Sequence, residues 1–143
     1  MTRRALLIDD DDSVRFVLRN ALAETGWQVT EIDDGCEAEG ALAARRFDLV
    51  VLDLYMPGMN GFEVLRRLRR YDPAGTPVWK TRADVPVLVV SGQAEGESLS
   101  FAERIGADAC LTKPFDIADV QRIARQLEHK PRSTSTRARR RTQ

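Results

Sequence analysis

The sequence predicts an α/β fold, a doubly wound five-stranded parallel sheet in the order 2-1-3-4-5, and three observations predict it. Ala5-Leu6-Leu7-Ile8, Leu49-Val50-Val51-Leu52 and Val87-Leu88-Val89-Val90 are uninterrupted apolar runs of strand length, as expected of strands buried on both faces. Amphipathic stretches of helical spacing lie between them. Two weaker strands, at 27–32 and 109–111, mix polar and apolar positions as sheet edges do. Strands 1, 3 and 4 are therefore central, and 2 and 5 lie outside them. A chain of 143 residues has room for one such domain.

Taken in order, the first strand ends in Asp9-Asp10-Asp11-Asp12, after which Val14, Val17, Leu18, Ala21 and Leu22 form a helical stripe. One of these aspartates, Asp12 by its place before the stripe, is expected to cap that helix. Asp34-Gly35 marks a turn, and Ala38, Ala41 and Leu42 stripe a short helix reaching Arg46. The third strand delivers Asp53 into the turn Met56-Pro57-Gly58-Met59-Asn60-Gly61. Asn60 can cap a helix from 61 to about 70, with Phe62, Leu65 and Leu68 inward and Arg66, Arg67, Arg69 and Arg70 on a solvated face.

The stretch 71–86, with Pro73, Gly75, Pro77 and Pro86, exceeds an ordinary helix-to-strand link and reads as an insertion, in which Trp79 is expected to pack on the domain. The fourth strand ends at Ser91-Gly92, and a weak helix from about 97 to 105 follows. The fifth strand runs into Thr112-Lys113-Pro114-Phe115, and Asp116 caps a last helix burying Ile117, Val120, Ala124 and Leu127.

The formal charge is zero, from 22 basic and 22 acidic residues, but the two are not evenly spread. Every Asp and Glu lies between Asp9 and Glu128, whereas Lys130, Arg132, Arg137, Arg139, Arg140 and Arg141 follow. The expected division is a domain over 1–128 and a basic, disordered tail over 129–143. The four apolar residues after Arg4 are too few for a signal peptide or a membrane span, so a soluble, cytoplasmic protein is expected. Cys36 and Cys110 have no metal-ligand spacing and read as two reduced thiols. His129, the one histidine, stands far in sequence from the acidic motifs and reads as an incidental surface residue.

The topology gathers Asp9, Asp10, Asp53, Ser91 and Lys113 at the carboxyl ends of the strands, where doubly wound sheets carry their ligand chemistry. A lone strand-end aspartate is as readily a turn residue, but here three carboxylates share a rim with a hydroxyl and an ammonium. Carboxylates about 4 Å apart repel by roughly 4 kcal/mol at an effective dielectric of 20, which calls for a divalent cation. Mg²⁺ suits the set, because it takes one or two carboxylates and keeps positions open for phosphoryl oxygens. Phosphoryl transfer then has its parts: Asp53 to attack, the cation and Lys113 to neutralise charge, and Ser91 to donate a hydrogen bond.

On these residues the chain, over 3–128, resembles the receiver domains of two-component response regulators, of the single-domain chemotaxis-regulator type. The carriers are the Asp9-Asp10 pair, Asp53 with its Met-Pro-Gly-Met-Asn-Gly turn, Ser91-Gly92 and Thr112-Lys113-Pro114-Phe115. The resemblance implies the flavodoxin-like receiver fold and a His-to-Asp phosphorelay, with Asp53 as phosphoacceptor from a sensor histidine kinase or histidine phosphotransfer protein. Mg²⁺ would be held by Asp9, Asp10, Asp53 and the backbone carbonyl of Tyr55. Lys113 would pair with the phosphoryl group, its bond to Pro114 would be cis, and Ser91 would swing to the new phosphate. Tyr55 and Gln93 would influence hydrolysis of the acyl phosphate. Such a protein promotes its own phosphorylation without being a turnover enzyme, and its switched surface would bind an output protein.

Two departures stand out: Cys110 occupies the place of an aromatic residue three positions before the lysine, and the stretch 71–84 is extra. Two other readings compete with the phosphoacceptor. The Arg-rich tail could contact nucleic acid or another polyanion under the control of phosphorylation, or the acidic rim could belong to a small phosphatase-like hydrolase.

Overall fold

The three apolar runs form the middle of the sheet. In the computed structural model, which describes residues 2–70, 79–92 and 96–129, the strands are β1 (Arg3–Ile8), β2 (Trp27–Ile32), β3 (Leu49–Leu52), β4 (Val87–Ser91) and β5 (Ala109–Thr112). All pair in parallel in the order β2-β1-β3-β4-β5, as the sequence predicts. The helices are α1 (Asp12–Glu24), α2 (Ala38–Ala44), α3 (Gly61–Leu68), α4 (Gly96–Arg104) and α5 (Ile117–Glu128), with a single 3₁₀ turn at Gly35–Glu37 before α2. Among the described residues no helix is long and apolar enough to cross a membrane.

Strand alternation divides the interior into two cores. Leu6, Ile8, Val50, Leu52, Val87 and Val89 face α2, α3 and α4, whereas Ala5, Leu7, Leu49, Val51, Leu88 and Val90 face α1 and α5. The ladder then continues past the strand ends. The Asp9 N–H donates to the Ile32 carbonyl at 3.2 Å, the Asp53 N–H to Ile8 at 2.9 Å and the Lys113 N–H to Ser91 at 3.1 Å. Residues at the rim are thus held by sheet geometry rather than by loop packing.

Several local expectations need correction. The cap of α1 is Asp11, whose Oδ1 accepts from the Ser13 and Val14 N–H groups at 2.8 and 3.1 Å, while Asp12 is the first helical residue and pairs with Arg15. Asp11 has the extended backbone a cap requires, and Asp12 is already helical. Asn60 caps α3 as expected, accepting from Glu63 N–H at 3.0 Å. Asp116 occupies the cap position of α5 but makes no side-chain capping bond; its carbonyl accepts from Asp119 and Val120. Val17 and Ile117 are 36% and 48% exposed, because their stripes are wider than the surface that covers them, and Ile123 is buried on α5 instead.

Arg69 is not on a solvated face. Its Nε and Nη2 donate to the Gly106 carbonyl at 3.1 and 2.7 Å, its Nη1 to the Ala83 and Val85 carbonyls at 2.7 Å each, and its Nη2 also meets Asp108 Oδ2 at 3.0 Å. One guanidinium therefore ties the end of α3 to the approaches of β4 and β5. The far part of the insertion is structural as well. Lys80 and Thr81 N–H groups donate to Ala43 and Leu42 carbonyls at the end of α2, and Thr81 Oγ1 donates to the Arg45 carbonyl while accepting the Phe47 N–H. Trp79 packs against the core beneath, as expected, whereas 71–78 lies outside the described residues.

Candidate functional site

The rim brings together four of the expected side chains around Asp53. Asp9, Asp53 and Ser91 are 1%, 6% and 1% exposed, which is unusual for polar groups, and Asp10 is exposed at the edge. Lys113 reaches in from the end of β5, its Nζ 2.8 Å from Asp9 Oδ2 and 3.4 Å from Asp53 Oδ2. The other Asp53 oxygen, Oδ1, accepts the Tyr55 N–H at 3.4 Å. Asp9 Oδ1 accepts the Asp11 N–H at 2.9 Å, so the acidic loop folds back on its own first carboxylate.

Oxygen atoms of Asp9, Asp10 and Asp53 lie within 4.8 Å of one another. At that separation each pair repels by on the order of 3 kcal/mol at an effective dielectric of 20, and one ammonium answers three carboxylates. Burial, and then the charge of Asp9, push the Asp53 carboxyl above its ordinary pKa; Lys113 and the donors at Ser91 and Tyr55 pull it part of the way back. Burial works against the Lys113 ammonium, but its bond to Asp9 and the charges of Asp53 and Asp9 prevail, and its pKa is raised. The Ser91 hydroxyl makes no hydrogen bond of good geometry, yet stands close enough to Asp53 to favour the ionised carboxylate. An all-oxygen donor set with a charge deficit fits a hard divalent cation. A buried hydroxyl and an ammonium beside a strained carboxylate fit a charged group placed on that carboxylate.

The backbone around Asp53 leaves no slack. The first residue of α3, Gly61, lies so close that a Cβ there would overlap the Asp53 carbonyl oxygen, and a Cβ on Gly35 would overlap the Met59 carbonyl in the same turn. The Lys113–Pro114 bond is cis.

The model of the response regulator receiver domain family matches residues 5–125. This chain belongs to that family. It is 32% identical over 124 residues, 86% of its length, to the DNA-binding transcriptional regulator NtrC of Escherichia coli, covering 24% of that protein. It is 37% identical over 132 residues, 89% of its length, to the response regulator MprA of a Mycobacterium species, covering 51% of it. The chain thus spans about a quarter to a half of the curated relatives it matches. Among solved structures, it resembles the CheY-like receiver domain protein of Methanospirillum hungatei, with TM-score 0.75 at 25% identity over 90% of this chain and 95% of that one. The receiver domain of Francisella response regulator 1452 is similar, with TM-score 0.75 at 26% identity over 89% and 97%.

In this receiver domain one neighbour of the site, Arg15, was not visible in sequence, and Tyr55, expected there for its backbone carbonyl, makes a side-chain contact that the sequence did not reveal. Arg15, on α1, donates from Nη1 to the Asp9 carbonyl while paired with Asp12 and Glu31; its place one turn after the acidic run is the only signal. Tyr55 projects its hydroxyl to Ser98 Oγ on α4 at 2.8 Å. Gln93 and the basic tail from 130 onward lie outside the described residues. His129 is exposed at the end of α5, and Cys36 and Cys110 are both free thiols.

Proposed function

We propose that this receiver domain accepts one phosphoryl group on Asp53 from a phosphohistidine, carried by a sensor histidine kinase or a histidine phosphotransfer protein. The observation that carries the reading is a buried carboxylate with one oxygen on an ammonium, the other on a backbone N–H, and an unpartnered buried hydroxyl beside it. An Asp53 oxygen forms a bond to phosphorus as the P–N bond breaks, and the electron pair leaves with the imidazole nitrogen. Lys113, released in part from Asp53, pairs with the incoming phosphoryl oxygens, and the Ser91 hydroxyl finds in them the acceptor it lacks.

Mg²⁺ is the cation that suits the donor set, held by Asp9, Asp10, Asp53 and the Tyr55 backbone carbonyl; when bound it supplies charge to offset the carboxylates and the phosphoryl oxygens. The domain works as a stoichiometric switch over 1–128 rather than a turnover enzyme, with an output protein as its partner. The segment 129–143 is dispensable for phosphorylation. This reading puts the protein in the cytoplasm, where phosphohistidine donors are made from ATP.

Acetyl phosphate with Mg²⁺ should add a single phosphoryl group to the full chain, and Asp53→Asn should abolish it. Undiminished labelling of the variant, read by intact mass, would overturn the assignment. Sustained turnover of a phosphomonoester would favour a hydrolase instead.

A further inference from the structure

Helix α4 is held differently at its two ends. At its C-terminal end the Ala107 N–H donates to Ala102 at 2.9 Å, and the Gly106 carbonyl is gripped by Arg69, which reaches Asp108 as well. Between the ends, Ala102 is its one fully buried side chain among the described residues, with Leu99 and Ile105 only partly covered. In its first turns two attachments stand out: the weak contact of the Cys110 thiol with the Leu99 carbonyl at 4.0 Å, and the Tyr55 hydroxyl on Ser98 at 2.8 Å.

Tyr55 is also bonded to the phosphoacceptor. Its N–H lies on Asp53 Oδ1, so any change in the charge or bonding of that oxygen alters what holds the Tyr55 backbone. Its ring continues the connection: it meets Phe62 edge-on at 5.9 Å and 82°, Phe62 meets Phe101 at 5.5 Å, and Arg104 lies over Phe101 at 5.7 Å. Ser98 and Phe101 are three residues apart on α4 and so share one face. The tyrosine thus grips the helix twice, by hydroxyl and, through Phe62, by ring. Among the described residues nothing comparable leads from β5, where Cys110 is small and burial, with the charge of Glu103, keeps its thiol un-ionised by raising its pKa to about 11.

We propose that Tyr55 latches the first turns of α4 to the turn that follows Asp53, and that this latch, rather than a side chain on β5, carries the state of Asp53 into α4. The helix pivots on its Arg69-gripped end when the latch lets go. The second half of this proposal rests on Asp53 being the phosphoacceptor; the latch itself does not.

Amide exchange on the full chain tests both halves. In the unmodified protein, Tyr55→Phe and Ser98→Ala should each speed exchange over 98–104 by about three- to tenfold, as expected for loss of one hydrogen bond. The double variant should go no further than either single one. Beryllofluoride, a phosphoryl mimic, should loosen the same segment in the wild type and add little in Ser98→Ala, which still takes it up by fluorine NMR. Unchanged exchange in the single variants, or additive effects in the double, would overturn the latch. Beryllofluoride effects confined to 109–115 would show that β5 carries the switch. Failure of the wild type to take up beryllofluoride would remove the phosphoacceptor reading and the second half with it, while the unmodified arms still decide the latch.

Discussion

Helices α4 and α5 flank the same edge strand and are held by opposite means. Helix α5 buries Val120, Ile123, Ala124 and Leu127 against the α1 side of the sheet, whereas α4 buries Ala102 and depends on polar ties at its two ends. A buried aliphatic side chain contributes about 1.5–3 kcal/mol, and a hydrogen bond about 0.5–1.5 kcal/mol. Opening α5 therefore approaches unfolding the domain, while α4 can open at a cost that one new charge at the rim could supply. The fold separates a load held by area from a part held by a few directional contacts, and only the second can be switched.

The largest expected effect is on the first kind of contact. Leu127→Ala should destabilise the domain by about 2–4 kcal/mol in denaturant melts, against about 1 kcal/mol for Leu99→Ala on α4. Equal losses would erase the distinction between the helices. Arg69→Met should cost about 2–3 kcal/mol, because it strips donors from three carbonyls and a charged partner from Asp108, which keeps the Val87 N–H. Unlike Leu127→Ala, it should also raise amide exchange at the C-terminal end of α4, and a purely global change would show that Arg69 does not hold that end.

The smallest effect has the opposite sign. The Asp53 carboxyl has a raised pKa in the folded state, so the protonated form is favoured there and stability is lost as pH rises through that value. Asp53→Asn should accordingly raise the melting temperature of the metal-free protein by about 2–4 °C at neutral pH. The gain should vanish in acid, where the wild-type carboxyl is protonated in both states. It should appear across α4 and α5 alike, and a gain that persists unchanged in acid would show that Asp53 is not the strained charge.

Much of this was legible in the sequence because a buried parallel strand can hardly be written any other way. The runs at Leu49–Leu52 and Val87–Ser91 specify central strands, and their order fixes which polar residues meet at the rim. The misplacements share a physical cause. Which of four consecutive aspartates caps α1 depends on the backbone angles of one residue, and composition does not reveal them. Periodicity puts Arg69 with its neighbours Arg66 and Arg67, but its partners Ala83, Val85 and Gly106 arrive from loops that no helical repeat encodes. The same holds for Thr81 under α2 and for Tyr55 against Ser98, contacts between segments distant in sequence.

The close approach of Gly35 and Gly61 to the Asp53 turn bears on how inherited or laboratory variation in this chain should be interpreted. On the proposed roles of Asp53 and Lys113, a survey of all single substitutions, ranked by loss of phosphorylation, would mark both glycines as intolerant alongside those two. Their intolerance reports clearance between two backbones, since each added carbon meets a carbonyl oxygen that cannot move aside without shifting the turn. Deleteriousness at the rim is therefore of two kinds, one that removes chemistry from an intact domain and one that removes the domain. Cellular abundance of the variant protein, measured beside its output, tells a missing charge from a missing space.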